Sequence, residues 1–198
     1  MQAGNDKDLN HLIKFVERAI DCGVDMVQIR ERDLSARDIF FVTKTLTKHA
    51  DSGARILVND RVDIAASSGA GVHLTTRSLP VDVVRRDIDR NMLVGVSTHN
   101  LDEVRAAETG GADFVVFGPV FETSSKAEYG PPVGIDKLYK VTSNITIPVL
   151  ALGGINPKNF SDVLDAGAAG IAGISMFTET EDLAGLIALI KRSRARTN

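Results

Sequence analysis

GGADFVVFGPVFETSSKAEYGPPVG, residues 110–134, is the stretch on which the fold turns. Phe114, Val115, Val116 and Phe117 form an unbroken run of β-formers bounded by glycines. Such a run suits a strand covered on both faces in a parallel sheet better than a strand with one wet face. Gly118-Pro119 ends it, and Thr123-Ser124-Ser125-Lys126 then offers three hydroxyls and one ammonium in four residues. That donor set suits the oxygens of a phosphorylated ligand, although an ordinary solvated loop has the same composition. The two readings are separated by how many other strands end the same way.

Working outward, one pattern recurs. A helical segment closes on a small residue and a glycine, and an apolar strand starts a few residues later: Cys22-Gly23-Val24-Asp25 before MVQI, Gly69-Ala70-Gly71 before VHL, Gly110-Gly111-Ala112-Asp113 before FVVF, and Ala166-Gly167-Ala168-Ala169-Gly170 before IAGI. Glycine just past a helix end takes the left-handed conformation that turns the chain back sharply. The spacing predicts strands over 25–31, 55–60, 71–74, 93–98, 114–120, 148–153 and 170–175. Between them lie helix-prone stretches such as LSARDIFFVTKTLTKHA, SLPVDVVRRDI, NLDEVRAAETG, NPKNFSDVLDAG and TETEDLAGLIALIKR. Parallel strands with helical crossovers follow, in an open doubly wound sheet or a closed (βα) barrel. Polar residues after nearly every strand favour the barrel, since an open sheet gathers them at one switch point. A barrel of this type has eight strands. Here the first is missing from the reading, because no apolar run precedes the first helix at 9–22.

Composition narrows the class. With 43% hydrophobic residues in 198, the chain buries one sizeable core, and we read residues 1–198 as a single domain. A net charge of −3 gives no footprint for nucleic acid or an anionic membrane. The basic run 191–196 falls in the last turn of a terminal helix, where cations offset the helix dipole. Cys22 is the single cysteine, which excludes an internal disulfide and fits a reducing compartment. No apolar stretch reaches spanning length and the charged N-terminus lacks a signal-peptide core, so the expected location is the cytoplasm.

The strand ends carry the candidate chemistry. Gln28, Arg30 and Arg32 alternate with Ile29 and Glu31, and a period of two puts them on one strand face. Two guanidinium groups there ask for a phosphate or a carboxylate unless Glu31 or Asp33 neutralises them. Asn59-Asp60-Arg61 closes the next strand with an amide, a hard oxygen ligand and a cation, suited to Mg2+ and a charged substrate. His73, between Val72 and Leu74, reads as a hydrogen-bonded wall residue. Ser97 and His99 end a further strand, and Asn100 with Glu103 is a helix start of the capping-box type. Gly153-Gly154 and Gly173-Ile174-Ser175 end the last two strands, where exposed backbone N–H groups hold a phosphate in such barrels.

With these residues placed, the chain resembles the family that unites thiamine-phosphate synthases with thiazole tautomerases of the TenI kind, which share one (βα)8 barrel. The likeness is carried by VQIRERDLS, LVNDRVDIA, GAGVHLTTRSLP, VGVSTHNLDE, GADFVVFGPVFETSSK, PVLALGGINPKN and AGAAGIAGIS. It implies that Gln28, Arg30, Asn59, Ser97 and Lys126 hold a pyrimidine diphosphate, with Asp60 on Mg2+. Thr123 and Ser125 would contact the thiazole phosphate, together with Gly153, Gly154, Gly173, Ile174 and Ser175, while Arg32 and His99 complete the substrate-binding set. In the synthases the diphosphate departs and the thiazole nitrogen captures the pyrimidine cation. Arg30, Lys126 and Ser97 would therefore be the catalytic residues, acting on departing charge.

Three positions depart from the synthase pattern. The family's GQxD, whose aspartate is a second metal ligand, is replaced by Thr75, Thr76, Arg77 and Ser78; REK becomes Arg30-Glu31-Arg32; and no opening strand of the YLVTD kind is present. The resemblance therefore implies a transferase joining hydroxymethylpyrimidine diphosphate to a thiazole phosphate, with Mg2+ held weakly and only beside the diphosphate. Alternatives are a TenI-type tautomerase and a non-catalytic regulator that binds phosphorylated ligands. RERD and VFET favour the tautomerase branch, whereas Pro119 matches the synthases. The expected partners are small phosphorylated substrates, and a homo-oligomer is compatible with the sequence.

Overall fold

In the computed structural model, residues 6–31, 33–50, 53–123 and 131–197 are described. They fall into two compact units, Met1–Val94 and Gly95–Asn198. The first runs α1 (Asp6–Asp21), β1 (Met26–Ile29), α2 (Ala36–His49), β2 (Arg55–Asn59), α3 (Val62–Ser68), β3 (Gly71–Leu74) and α4 (Val81–Asp87). β1 to β3 are parallel and adjacent in chain order, with Ile29 opposite Val58 and Asn59 opposite His73. Their apolar side chains, among them Ile29, Ile56, Val58, Val72 and Leu74, are buried, as are Val42 and Leu46 of α2 and Ile64 of α3. Each such side chain contributes about 1.5–3 kcal/mol on leaving water. α1 is tied to α2 at the surface, where His49 Nε2 lies 3.2 Å from Asp21 Oδ1.

The second unit contains nearly all of β4 (Val94–Thr98), then α5 (Leu101–Thr109), β5 (Phe114–Phe117), α6 (Gly134–Thr142), β6 (Val149–Leu152), α7 (Phe160–Asp165), β7 (Gly170–Ala172), α8 (Ser175–Thr178) and α9 (Leu183–Thr197). β4 to β7 are again parallel neighbours in chain order, with Ser97 opposite Val116 and Ala151 opposite Ile171. All four residues of β5 are buried, as expected for an apolar run covered on both faces. Gly95 is required beside it: a Cβ there would stand 2.1 Å from the Phe114 ring.

The recurring glycines do what their spacing predicts. Gly23, Gly69, Gly111 and Gly167 have φ of 94, 77, 91 and 85°. The residue after each closes a bond to the carbonyl five positions back: Val24 to Ala19 (3.1 Å), Ala70 to Ala65 (3.0 Å), Ala112 to Ala107 (2.9 Å) and Ala168 to Val163 (3.1 Å). This is the Schellman helix end, used four times. Some boundaries move. α1 begins at Asp6 rather than 9, β5 stops at Phe117, and β7 stops at Ala172 so that Ser175 opens α8. Beyond β5 the chain stays alongside the end of β6 through Val120 N to Leu152 O (2.9 Å) and Phe121 N to Gly153 O (3.0 Å), which is why 118–120 reads as strand. Among the described residues no strand precedes β1.

Candidate active site

In the first unit the polar side chains gather at the C-terminal ends of β1, β2 and β3. β1 ends at Ile29, so the period-two argument holds for exposed Gln28 against buried Ile29, while Arg30 follows the strand and Arg32 lies outside the described residues. Gln28 Nε2 donates to Asn59 Oδ1 across the β1–β2 pair (3.4 Å). Arg30 is exposed and makes no ion pair or hydrogen bond to any described residue, so neither Glu31 nor Asp33 neutralises it.

Asp60 follows β2 with φ 59°, the one non-glycine residue with positive φ among those described. Its backbone N–H donates to His73 O (2.9 Å). Its Oδ1 accepts a hydrogen bond from Ser78 Oγ. Ser78 Oγ in turn accepts from Thr75 N (2.7 Å) and lies 3.1 Å from Thr75 Oγ1, which accepts from Arg77 N (3.2 Å). The loop 75–78 is thus a hydroxyl latch closed on the Asp60 carboxylate. His73 is buried, as a wall residue should be.

Arg61 corrects one expectation. Its guanidinium is bound fork to fork by Asp63 in the first turn of α3, Nε to Oδ1 at 2.9 Å and the terminal nitrogen to Oδ2 at 2.6 Å. The side-chain hydrogen bonds from Arg61 hold the Asp63 carboxyl below the usual carboxylate range and raise the guanidinium in return. This cation is committed to a helix start rather than to a ligand.

Among the described residues no three His, Cys, Asp or Glu side chains come close enough to hold a metal. Asp60 has one oxygen engaged by Ser78, and a hydroxyl stands where a second carboxylate would be needed. These residues do not fit a site for the free ion, which needs near-octahedral oxygen donors.

In the second unit, half-buried Ser97 lies in β4, and His99 follows the strand. Asn100 caps α5 as foreseen, its Oδ1 accepting from Glu103 N (2.9 Å). The sequence does not disclose that Glu103 also reaches back to His99: Oε2 accepts from His99 N (2.7 Å) and lies 3.1 Å from His99 Nδ1. The legible signal was the four-residue spacing from His99 to Glu103 at a helix start. Thr123 is half-buried after β5; Ser125 and Lys126 lie outside the described residues.

Gly153 and Gly154, with φ of 100 and 66°, end β6. A Cβ on Gly153 would stand 2.5 Å from Pro119 Cβ, and one on Gly154 2.4 Å from Glu122 O. Close passage of the β5 and β6 extensions therefore requires both glycines. Asn159 steadies the turn by donating to Gly154 O (3.1 Å) and accepting from Asn156 N (2.8 Å). Gly173, Ile174 and Ser175 are exposed beyond β7, Ile174 at 71%.

Known proteins extend this picture. The model of the family described as thiamine monophosphate synthase matches residues 3–177. A Geobacter sulfurreducens protein provisionally described as a thiamine-phosphate synthase is 48% identical over 173 residues, which cover 86% of this chain and 81% of that one. A Clostridium botulinum thiamine-phosphate synthase is 39% identical, covering 87% and 85% respectively. The solved structure of a Pyrococcus furiosus thiamine phosphate pyrophosphorylase superimposes with a TM-score of 0.84 at 30% identity, over 96% of this chain and 93% of that one. The fold is thus the α/β barrel fold of that enzyme type, and this chain belongs to the thiamine monophosphate synthase family.

Proposed function

We propose that the protein is a thiamine-phosphate synthase, joining hydroxymethylpyrimidine diphosphate to a thiazole phosphate. The observation that carries this reading is Arg30: an exposed guanidinium at the end of β1, beside the Gln28–Asn59 pair, with no acidic partner among the described residues. Such a group is suited to a diphosphate, which it meets with charge-assisted hydrogen bonds. In the reaction the pyrimidine C–O bond breaks with both electrons leaving on the diphosphate. The thiazole nitrogen then supplies the pair for the new C–N bond. No activated nucleophile is needed, and the protein's task is to stabilise departing charge. Arg30, Lys126 and Ser97 would do so, with Gln28, Asn59, Arg32 and His99 placing the pyrimidine. Thr123, Ser125, Gly153, Gly154, Gly173, Ile174 and Ser175 would hold the thiazole phosphate. Mg2+ would arrive with the diphosphate and touch the protein at Asp60. The remaining partners are small phosphorylated metabolites, the location cytoplasmic.

The test is an assay with both substrates, with and without EDTA. Stoichiometric release of diphosphate and coupled product, lost in EDTA, supports the synthase. Proton exchange on the thiazole phosphate without diphosphate release would replace it by a tautomerase, and ligand binding without either reaction by a regulator.

A further inference from the structure

We propose that Arg77 is a diphosphate-binding residue, held beyond the end of β3 by the hydroxyl latch on Asp60. The bonds of that latch run in one direction. Arg77 N donates to Thr75 Oγ1 (3.2 Å), and Ser78 Oγ gives its one proton to Asp60 Oδ1. At its 3.1 Å contact with Thr75 Oγ1 the Ser78 oxygen therefore accepts, as it does from Thr75 N at 2.7 Å. A hydroxyl has one proton and two lone pairs, so Ser78 is saturated and has nothing left for a ligand. Ser78 N closes the same turn on Thr75 O (3.1 Å). Residues 75, 77 and 78 are thus tied to Asp60 by one connected set of bonds.

The latch uses Arg77 only through its backbone. Its guanidinium is exposed and makes no ion pair or hydrogen bond to any described residue. Arg61, by contrast, is neutralised fork to fork by Asp63. Asp60, bound to the residue next to Arg77, does not neutralise it; one of its oxygens is taken by Ser78. β3 lies two strand spacings from β1, about 10 Å. Arg77 beyond β3 and Arg30 beyond β1 therefore flank a gap that two long side chains span from opposite sides. A guanidinium brings charge and a fixed fork of N–H donors, which match the oxygens of a diphosphate without a metal between them. That this diphosphate is a leaving group rests on the synthase reading; the anion site itself does not.

The experiment is calorimetric titration of the protein with inorganic diphosphate in EDTA. Wild type should bind, and Arg77→Ala should bind about tenfold more weakly, the loss of one charge-assisted contact. Arg77→Lys, which keeps the charge but not the fork, should recover part of the difference. Arg77→Ala retains the backbone N–H that bonds Thr75, so a residue that only shaped the loop would leave the affinity unchanged. Ser78→Ala tests the latch. It releases the Asp60 carboxylate to pair with Arg77, so affinity should again fall, and adding Arg77→Ala to it should cost less than tenfold further. An unaltered melting temperature without ligand verifies that Arg77→Ala is folded. Wild type that binds no diphosphate in EDTA, an affinity indifferent to Arg77→Ala, or losses at Ser78 and Arg77 that add in full overturns the proposal. Binding that depends on Arg77 in a protein with no synthase activity would sink the synthase reading and leave the anion site standing, whereas synthase turnover with binding indifferent to Arg77 would do the reverse.

Discussion

Asp60 has a left-handed backbone that costs a residue with a side chain on the order of 1–2 kcal/mol. Strain of this kind is kept where surrounding structure over-determines it, and here the His73 carbonyl and the Ser78 hydroxyl do so from β3 and the loop beyond. From sequence, Ser78 reads only as a lost carboxylate. Its role as a donor to a residue 18 positions earlier depends on β2 lying beside β3, which no local pattern states. Ser78→Asp puts two carboxylates in contact and should destabilise the free protein by about 1.4 kcal/mol, the equivalent of one pKa unit. Mg2+ should then bind the variant alone, raising its melting temperature and its synthase turnover. Unchanged turnover at saturating Mg2+ would show that the second carboxylate is not what the site lacks. Arg30→Ala tests the other side of the site. Loss of a charge-assisted contact to diphosphate should cut kcat/KM by about 10- to 100-fold, while stability changes by less than about 0.5 kcal/mol because the side chain is exposed. A large drop in melting temperature would instead make Arg30 structural.

The four Schellman ends explain why the elements were legible while the site was not. Each is specified by a glycine within five consecutive residues, so spacing alone located them, whereas the latch on Asp60 and the Glu103–His99 contact need tertiary or helical placement. The glycines are not equivalent. A Cβ on Gly69 meets nothing within 4 Å, whereas one on Gly167 stands 2.8 Å from Thr142 Oγ1, which donates to Ala166 O. Gly69→Ala should therefore cost about 1 kcal/mol from backbone strain alone, and Gly167→Ala roughly 2–3 kcal/mol as the Thr142 bond is also displaced. Urea midpoints for the two variants, at equal m-values, check the ranking. A second element-scale device is Glu108 at the end of α5, whose Oε1 accepts from Thr146 Oγ1 (2.7 Å), Thr146 N (2.7 Å) and Ile147 N (3.3 Å) just before β6. The Thr146 side-chain hydrogen bond, helped by these amides, lowers the Glu108 carboxyl below the usual glutamate range. A lowered folded value means the clamp contributes fully above the unfolded glutamate value, about 4.3, and is lost as pH falls through the folded one. Glu108→Ala should thus melt below wild type at pH 7, with the gap closing as the pH is taken down through 4. A gap that persists at pH 3 would mean the clamp acts through packing instead of charge.

Among the described residues, seven strands fall where the apolar runs place them, and the family model spans both compact units from residue 3 to 177. No described strand precedes β1, in keeping with the absence of an apolar run ahead of α1. Substrate binding should register on the stability of the whole protein, because a ligand that binds only the folded state stabilises it by RT ln(1 + [L]/Kd). Arg30 can meet a diphosphate as it stands, whereas Asp60 offers the metal one carboxylate already engaged by Ser78. Inorganic diphosphate with Mg2+ at about a hundred times its Kd should therefore add roughly 2.7 kcal/mol, raising the melting temperature by about 5–10 °C for a chain of this size. Mg2+ alone at the same concentration should leave it unchanged, and diphosphate with EDTA should give a smaller rise. The order of the three shifts is the informative quantity. If Mg2+ alone stabilises wild type as much as the pair does, the metal has a site in the free protein, and the latch on Asp60 does not stand in its way.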